Sequence, residues 1–320
     1  MKKILEEVIA LFNRLFIGFR TSRPVIKAIN KLKKIVIPGF EGIPIYEVGL
    51  FFFKGIKNGD ISNRASALAF NIFLAIFPAI IFFFTLIPYI PIHNFQDSLL
   101  NLLKEFIPGK TFDAVQGTLF DIIKRPRGGL LSIGFLLAMF FATNTVNSLI
   151  QAFNSTYYTV ETRSAFRQRM ISIFLVFVLS FLVVLAIGLI TFGPIALRWI
   201  EKIGLLTDWL TLRIIGAGKW VIILALLFFA FSVLYYFAPA MKHRYKFITA
   251  GSTIATILFI ATSVGFNFYV NNFASYNTLY GSIGTLIIFM IWLYINSIII
   301  LVGWEVNSSI SMARRSYNSK

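Results

Sequence analysis

Cysteine is absent from this 320-residue chain, histidine occurs twice, and acidic residues number only 13. Without a thiol there is no disulfide framework, no thiolate nucleophile and no Cys-ligated metal. The two histidines, His93 and His243, are too few for a three-His zinc site, and neither lies in an H-E-x-x-H pattern. No nucleotide-binding phosphate loop is recognisable, so no ATPase is expected within the chain. No metal or cofactor is called for.

What is abundant is apolar. Hydrophobic residues make up 58% of the chain, with 36 Phe, and mean hydropathy is +0.79. A soluble domain of this length has no interior large enough to hide such a fraction. A charge at the bilayer centre costs about 3 kcal/mol or more, so charge-free stretches mark membrane crossings. Five stand out: 65–94, 128–160, 170–197, 220–241 and 247–304. The last runs to 58 residues, against about 20 per crossing, and is interrupted by a polar, glycine-containing turn around Asn271 to Ser282. Six helical spans follow, with cores near 67–89, 130–150, 171–191, 220–239, 248–269 and 283–303. Apolar runs such as Ile80 to Phe84 are continuous rather than alternating, which excludes a β-barrel. The expected fold is an all-α, polytopic membrane protein.

The net charge of +17 is unevenly placed. With the N-terminus inside, 21 of the 30 Lys and Arg fall on cytoplasmic segments, so both termini are expected in the cytoplasm. Lys124, Arg125 and Arg127 oppose this locally. Residues 1–20 carry an apolar helical stripe from Ile4 to Phe19, and Arg23 to Lys34 form a second basic amphipathic piece. These either dock on anionic inner-leaflet lipids or pack on the protein's own cytoplasmic face. Nucleic acid is not an expected partner, since the basic residues follow the membrane charge rule and no recognition motif accompanies them. Three parts result: a basic N-terminal segment 1–45, a membrane domain 46–310 with an external amphipathic loop 93–127, and a cytoplasmic tail 311–320.

No ionisable residue remains near a span centre, which argues against a proton relay through the membrane. Uncharged polar groups are present instead. Asn144, Asn147, Gln151 and Asn154 recur at spacings of 3, 4 and 3, on one helical stripe. Together with Tyr276 and Tyr280 in the fifth-to-sixth turn, they are candidates to line a polar cavity; the alternative is hydrogen bonding between helices. Pro78 within the first span and Gly281 in the last turn are candidate breaks or hinges.

A set of motifs carries a resemblance. Arg64-Ala65-Ser66-Ala67-Leu68-Ala69-Phe70 leading to Phe77-Pro78, then Asn154, Tyr157 and Glu161-Thr162-Arg163, then Tyr276, Tyr280-Gly281, Trp292-Leu293-Tyr294, Gly303 and Glu305-Val306-Asn307 resemble the YihY/BrkB family. The likeness spans about residues 46–310 and implies six spans in a bacterial inner membrane. Members have carried a ribonuclease label, and others are associated with serum resistance or envelope lipid export. Metal-dependent phosphodiester cleavage needs clustered carboxylates or histidines, which this chain lacks, so a non-enzyme is expected. Arg64 and Glu305, both in matched motifs at the cytoplasmic boundary, are expected to pair and clamp the first span to the sixth, with Arg163 as a competing partner. The expected function is transport or export of a lipid, amphiphile or small polar solute; the alternative is a non-transporting scaffold or regulator.

Overall fold

The computed structural model describes residues 30–90, 123–155, 163–202, 209–240, 246–272 and 282–319, with isolated positions at 27, 96, 97, 100, 116, 117, 120 and 121. Seven helices and a short 3-10 turn account for nearly all of them. They are α1 (Ile45–Asn58), α2 (Ile61–Leu86, followed by the turn Ile87–Tyr89), α3 (Gly128–Asn154), α4 (Ala165–Lys202), α5 (Trp209–Phe237), α6 (Ala250–Asn272) and α7 (Ser282–Asn318). No strand occurs among the described residues, where a single bridge pairs Val36 with Pro44. Six helices are long and apolar enough to cross a membrane: α2 to α7.

Their surfaces are inverted relative to a soluble protein. No more than 33% of any span window is buried within the fold. Outward-facing side chains include Phe77, Phe83, Phe177, Phe181, Val184 and Phe268, while Thr143, Ser172, Ser232, Ser297, Ser308 and Ser309 are buried. Burying hydroxyls and exposing Phe is stable only where the surrounding solvent is hydrocarbon.

The helices outrun the charge-free cores. The fourth helix extends to Lys202, the fifth begins at Trp209, and the last continues to Asn318. Charge cost limits the hydrocarbon-embedded part of a helix, not its hydrogen-bonded length, so Arg198, Lys202 and Arg213 sit on helical ends. Residues 311–318 likewise continue α7.

Each span packs on the one before it, and α7 returns to pack on α2, closing a ring of six. Helices consecutive in sequence are thus neighbours in space, as is usual for connected elements. The ring is filled towards one end by aromatics. Phe153 lies 5.2 Å from Trp304 and 5.7 Å from Tyr235, centroid to centroid, and Phe231 stacks on Tyr235 at 6.2 Å. Closure between α6 and α7 depends on two glycines. A methyl on Gly303 would overlap the Tyr235 hydroxyl, lie 2.8 Å from Ala255 Cβ and 2.9 Å from the Gly251 carbonyl, and one on Gly251 would meet the Gly303 carbonyl and Asn307. The two backbones thus approach at the small-residue contact typical of membrane helices.

Residues 1–26, the first amphipathic stretch included, lie outside the described residues. The segment 35–44 folds as a tight loop closed by Ile45 N–H donating to the Ile35 carbonyl at 2.9 Å. It inserts Phe40 and Ile43 against Val306, Ile310 and Ala313 of α7. This part of the N-terminal region therefore packs on the protein itself. Most of 93–127 also lies outside the described residues. At its described end Lys124 pairs with Asp97 at 2.7 Å, and Arg125 and Arg127 both pair with Asp121, so the basic cluster that opposed the charge asymmetry has acidic partners.

Candidate functional site

The end of the bundle carrying the C-terminus of α3 holds most of the buried polar groups. A helix leaves its last four carbonyls without intrahelical partners, and in a membrane protein these need donors. The α3 terminus receives them from two neighbours. Arg64 Nη1, in the first turn of α2, donates to the Ala152 carbonyl at 2.7 Å, and Trp304 Nε1 of α7 donates to the Phe153 carbonyl at 2.9 Å. A cation at a helix C-terminus also opposes the negative end of the macrodipole. Asn154 accepts from Ala240 N–H at 2.9 Å, tying the end of α3 to the segment after α5. Arg163 Nη2 donates to the Ala238 carbonyl at 2.7 Å and serves the α5 terminus as Arg64 serves α3.

Glu305 is fully buried, and neither of its carboxylate oxygens has a hydrogen-bond partner among the described residues. Its head lies against Gly55 of α1, where any β-carbon would overlap it. Arg64 lies close enough to interact with it electrostatically, yet the two form no ion pair within 4 Å. The guanidinium instead bonds the Ala152 carbonyl. Arg163, the expected competitor, is directed to a different carbonyl. The three charged residues thus share one end of the bundle through helix capping and through-space attraction rather than through a direct salt bridge.

The amide stripe is divided among neighbours. Asn144 Oδ1 accepts from Arg169 Nη1 at 2.6 Å, and Asn147 Oδ1 accepts from Gln168 Nε2 at 2.7 Å, both across the α3–α4 contact. Gln151 is exposed, and Asn154 is buried at the terminus. On the other flank of α3, Asn71 Nδ2 donates to Ser148 Oγ at 3.0 Å and Thr145 Oγ1 donates to the Asn71 carbonyl at 3.0 Å. Pro78 is buried within α2, which continues eight residues past it to Leu86. Tyr276, Tyr280 and Gly281 lie outside the described residues.

The cavity of greatest interest lies off this stripe. A groove of about 550 Å³ runs between α2, α3 and α4, at the middle of all three spans, with Ala75, Ala79, Ala138 and Ala142 leaving the space. Ile76, Phe82, Met139, Val146 and Val176 complete its walls, and Thr145 and Ser180 are its polar lining. Phe83, Phe135, Phe177 and Val184 at its edge are exposed, so it opens sideways to the lipid-facing surface. An apolar concavity open to hydrocarbon suits an alkyl chain and excludes a hydrated solute.

Several of these groups escape the sequence reading. Gln168 and Arg169 donate to the asparagines, Trp304 and Tyr235 bond backbone carbonyls, the latter to Ile300 at 2.8 Å, and Asn307 both accepts from Gly251 N–H and donates to Thr249. Backbone acceptors leave no trace in a sequence. The groove does leave one: Ala75 and Ala79, like Ala138 and Ala142, are four residues apart, the small-xxx-small spacing of close helix contact. Among the described residues no three His, Asp or Glu gather in metal-binding proximity.

Residues 52–320 match the family described as Virulence factor BrkB. The ribonuclease-like protein YfkH of Bacillus subtilis (strain 168) is 34% identical over 246 residues, 77% of this chain and 88% of that protein. A UPF0761 membrane protein of Haemophilus influenzae is 23% identical over 270 residues, 84% of this chain and 96% of the relative. Another, from Coxiella burnetii, is 28% identical over 266 residues, 82% and 92% of the two chains. No solved structure matches the chain.

Proposed function

The chain belongs to the BrkB (YihY) family of membrane proteins, and we propose that it handles an amphiphile at bilayer depth, carrying or exporting a lipid-like molecule without an ATPase of its own. The lateral groove between α2, α3 and α4 carries this reading. Its walls are almost wholly apolar, its mouth faces lipid, and its volume of about 550 Å³ is in the range of ligand cavities. A polar-solute path has less support, because Asn144 and Asn147 are engaged with Arg169 and Gln168. The relatives are bacterial proteins, and the basic bias of the termini and of the loops after α3 and α5 favours an inner-membrane placement with both termini cytoplasmic. In that orientation Arg64 and Glu305 hold the first and last spans together at the cytoplasmic boundary by through-space attraction, with Arg64 also capping α3. The chain acts as a non-enzyme in this reading.

The test is lipid transfer in proteoliposomes with fluorescent phospholipids, comparing the wild type with Ala142→Trp and Ala79→Trp, which fill the groove. The expected result is transfer by the wild type and at least a tenfold loss, about 1.4 kcal/mol, in both variants, with unfolding temperatures kept within a few degrees. No transfer by any form refutes transport and favours the scaffold; transfer that survives both variants refutes the groove as its site.

A further inference from the structure

A second cavity, of about 340 Å³, lies at the start of α6, and from its lining we propose that it binds a phosphate group, carried either by a phospholipid or by a soluble phosphate. The proposal does not rest on the lipid-handling groove, which lies at the middle of other helices. The walls come from the loop 36–42, the approach to α6 and the last turns of α7. Lys246 and Arg314 line it together with a single carboxylate, Glu41, leaving an excess of positive charge. Glu41 Oε2 accepts from Arg314 Nη1 at 2.6 Å, so one arm of the guanidinium is occupied, while Lys246 has no ion-pair partner among the described residues.

Ser311 adds a hydroxyl to the wall. It lines the cavity at 8% exposure, and among the described residues its hydroxyl has no hydrogen-bond partner. Ser66, Ser132, Ser172 and Ser297 show the usual behaviour of helical serines here, each donating to the carbonyl four residues earlier. Ser311 does not, and neither do Ser308 and Ser309, whose hydroxyls are sealed inside the fold; the Ser311 hydroxyl differs in being reachable from the cavity, where a ligand or water can engage it. The α6 N-terminus adds a favourable field, although Gly251 N–H is already bonded to Asn307 and Ser252 N–H to Thr249 Oγ1. Two cations, a free hydroxyl and a positive helix end suit phosphate, whose several acceptor oxygens match them. The rim carries Val36 at 48% and Ile248 at 66% exposure, beside the first residue of a span, which is the depth of lipid phosphates. At about 30 Å³ per water, the volume admits a phosphate with several waters.

Binding is measured on the full chain purified in a phosphate-free sugar detergent. One arm titrates inorganic phosphate by calorimetry; the other counts phosphatidylglycerol and phosphatidylcholine retained in native mass spectrometry. Lys246→Gln and Ser311→Val are expected to weaken binding about tenfold. Glu41→Gln, which releases Arg314, is expected to strengthen it about threefold, a gain that a merely damaged fold would not produce. Response in both arms supports recognition of the phosphate group itself; response in the lipid arm alone assigns it to a headgroup, and in the inorganic arm alone to a soluble phosphate. No saturable binding in either arm, or binding indifferent to all three variants, overturns the proposal.

Discussion

Replacing Gly303 with Ala should destabilise the protein, although intrinsic helix propensity alone predicts the reverse. Alanine in a helix interior gains up to about 1 kcal/mol over glycine. At Gly303 the added methyl overlaps the Tyr235 hydroxyl and sits 2.8 Å from Ala255 Cβ and 2.9 Å from the Gly251 carbonyl. The carbonyl is backbone and cannot swing aside, and Tyr235 is 1% exposed with its hydroxyl bonded to the Ile300 carbonyl at 2.8 Å. Overpacking of this kind costs about 1–3 kcal/mol, and displacing the tyrosine adds about 1–3 kcal/mol for the lost buried hydrogen bond. The net destabilisation is therefore about 1–5 kcal/mol once the propensity gain is subtracted. Thermal unfolding in detergent is the assay, with Gly265→Ala as the control. That glycine lies in α6 with nothing within 4 Å of its Cβ position, so its substitution should be neutral or stabilising. Tyr235→Phe should recover part of the Gly303→Ala loss by removing the overlapped oxygen. A Gly303→Ala protein as stable as the Gly265→Ala control would refute the close approach of α6 and α7.

Further outcomes follow from other contacts. Arg163→Gln should cost about 1.5–3 kcal/mol through loss of its bond to the Ala238 carbonyl, read as a fall in unfolding temperature. A double-mutant cycle with Arg64→Gln and Glu305→Gln should give a coupling of about 1 kcal/mol or less, since the groups attract without touching; several kcal/mol would instead indicate a buried ion pair. The absence of cysteine makes single-cysteine labelling free of background. Gln151→Cys should react readily with a membrane-impermeant maleimide, whereas Asn147→Cys, within the α3–α4 contact, should react at least tenfold more slowly. Equal rates would place both on an open polar surface.

The six spans are legible because hydrocarbon punishes charge, and that penalty is written residue by residue from Ala65 onward. Arg64 shows where legibility stops. Its position at the head of the first span can be read from the sequence, but its partner is the Ala152 carbonyl, a backbone atom every residue possesses. The same holds for Trp304 with Phe153 and Arg163 with Ala238. Glu305 invited pairing with Arg64 because both are charged and near one boundary; helix-end carbonyls compete for the same guanidinium and leave no compositional mark. The asparagine stripe was readable as periodicity, yet its meaning depended on Gln168 and Arg169 projecting from the next helix. The groove was readable only as an absence, the alanines at 75, 79, 138 and 142, whose spacing equally describes tight packing.

Closure of the ring bears on how the protein is made. Spans leave the ribosome in order, and α2 can pair with α3 early, but its other flank waits for α7. Until then the Ser62 hydroxyl lacks Tyr294, with which it shares a hydrogen bond at 2.9 Å, and the Phe153 carbonyl lacks the Trp304 indole. The last helix also brings Glu305, Ser308 and Ser309, which become acceptable in the bilayer only once enclosed by neighbours. Insertion and folding therefore finish together at the final span, and a chain interrupted before Ser282 would expose an unfinished polar seam to lipid.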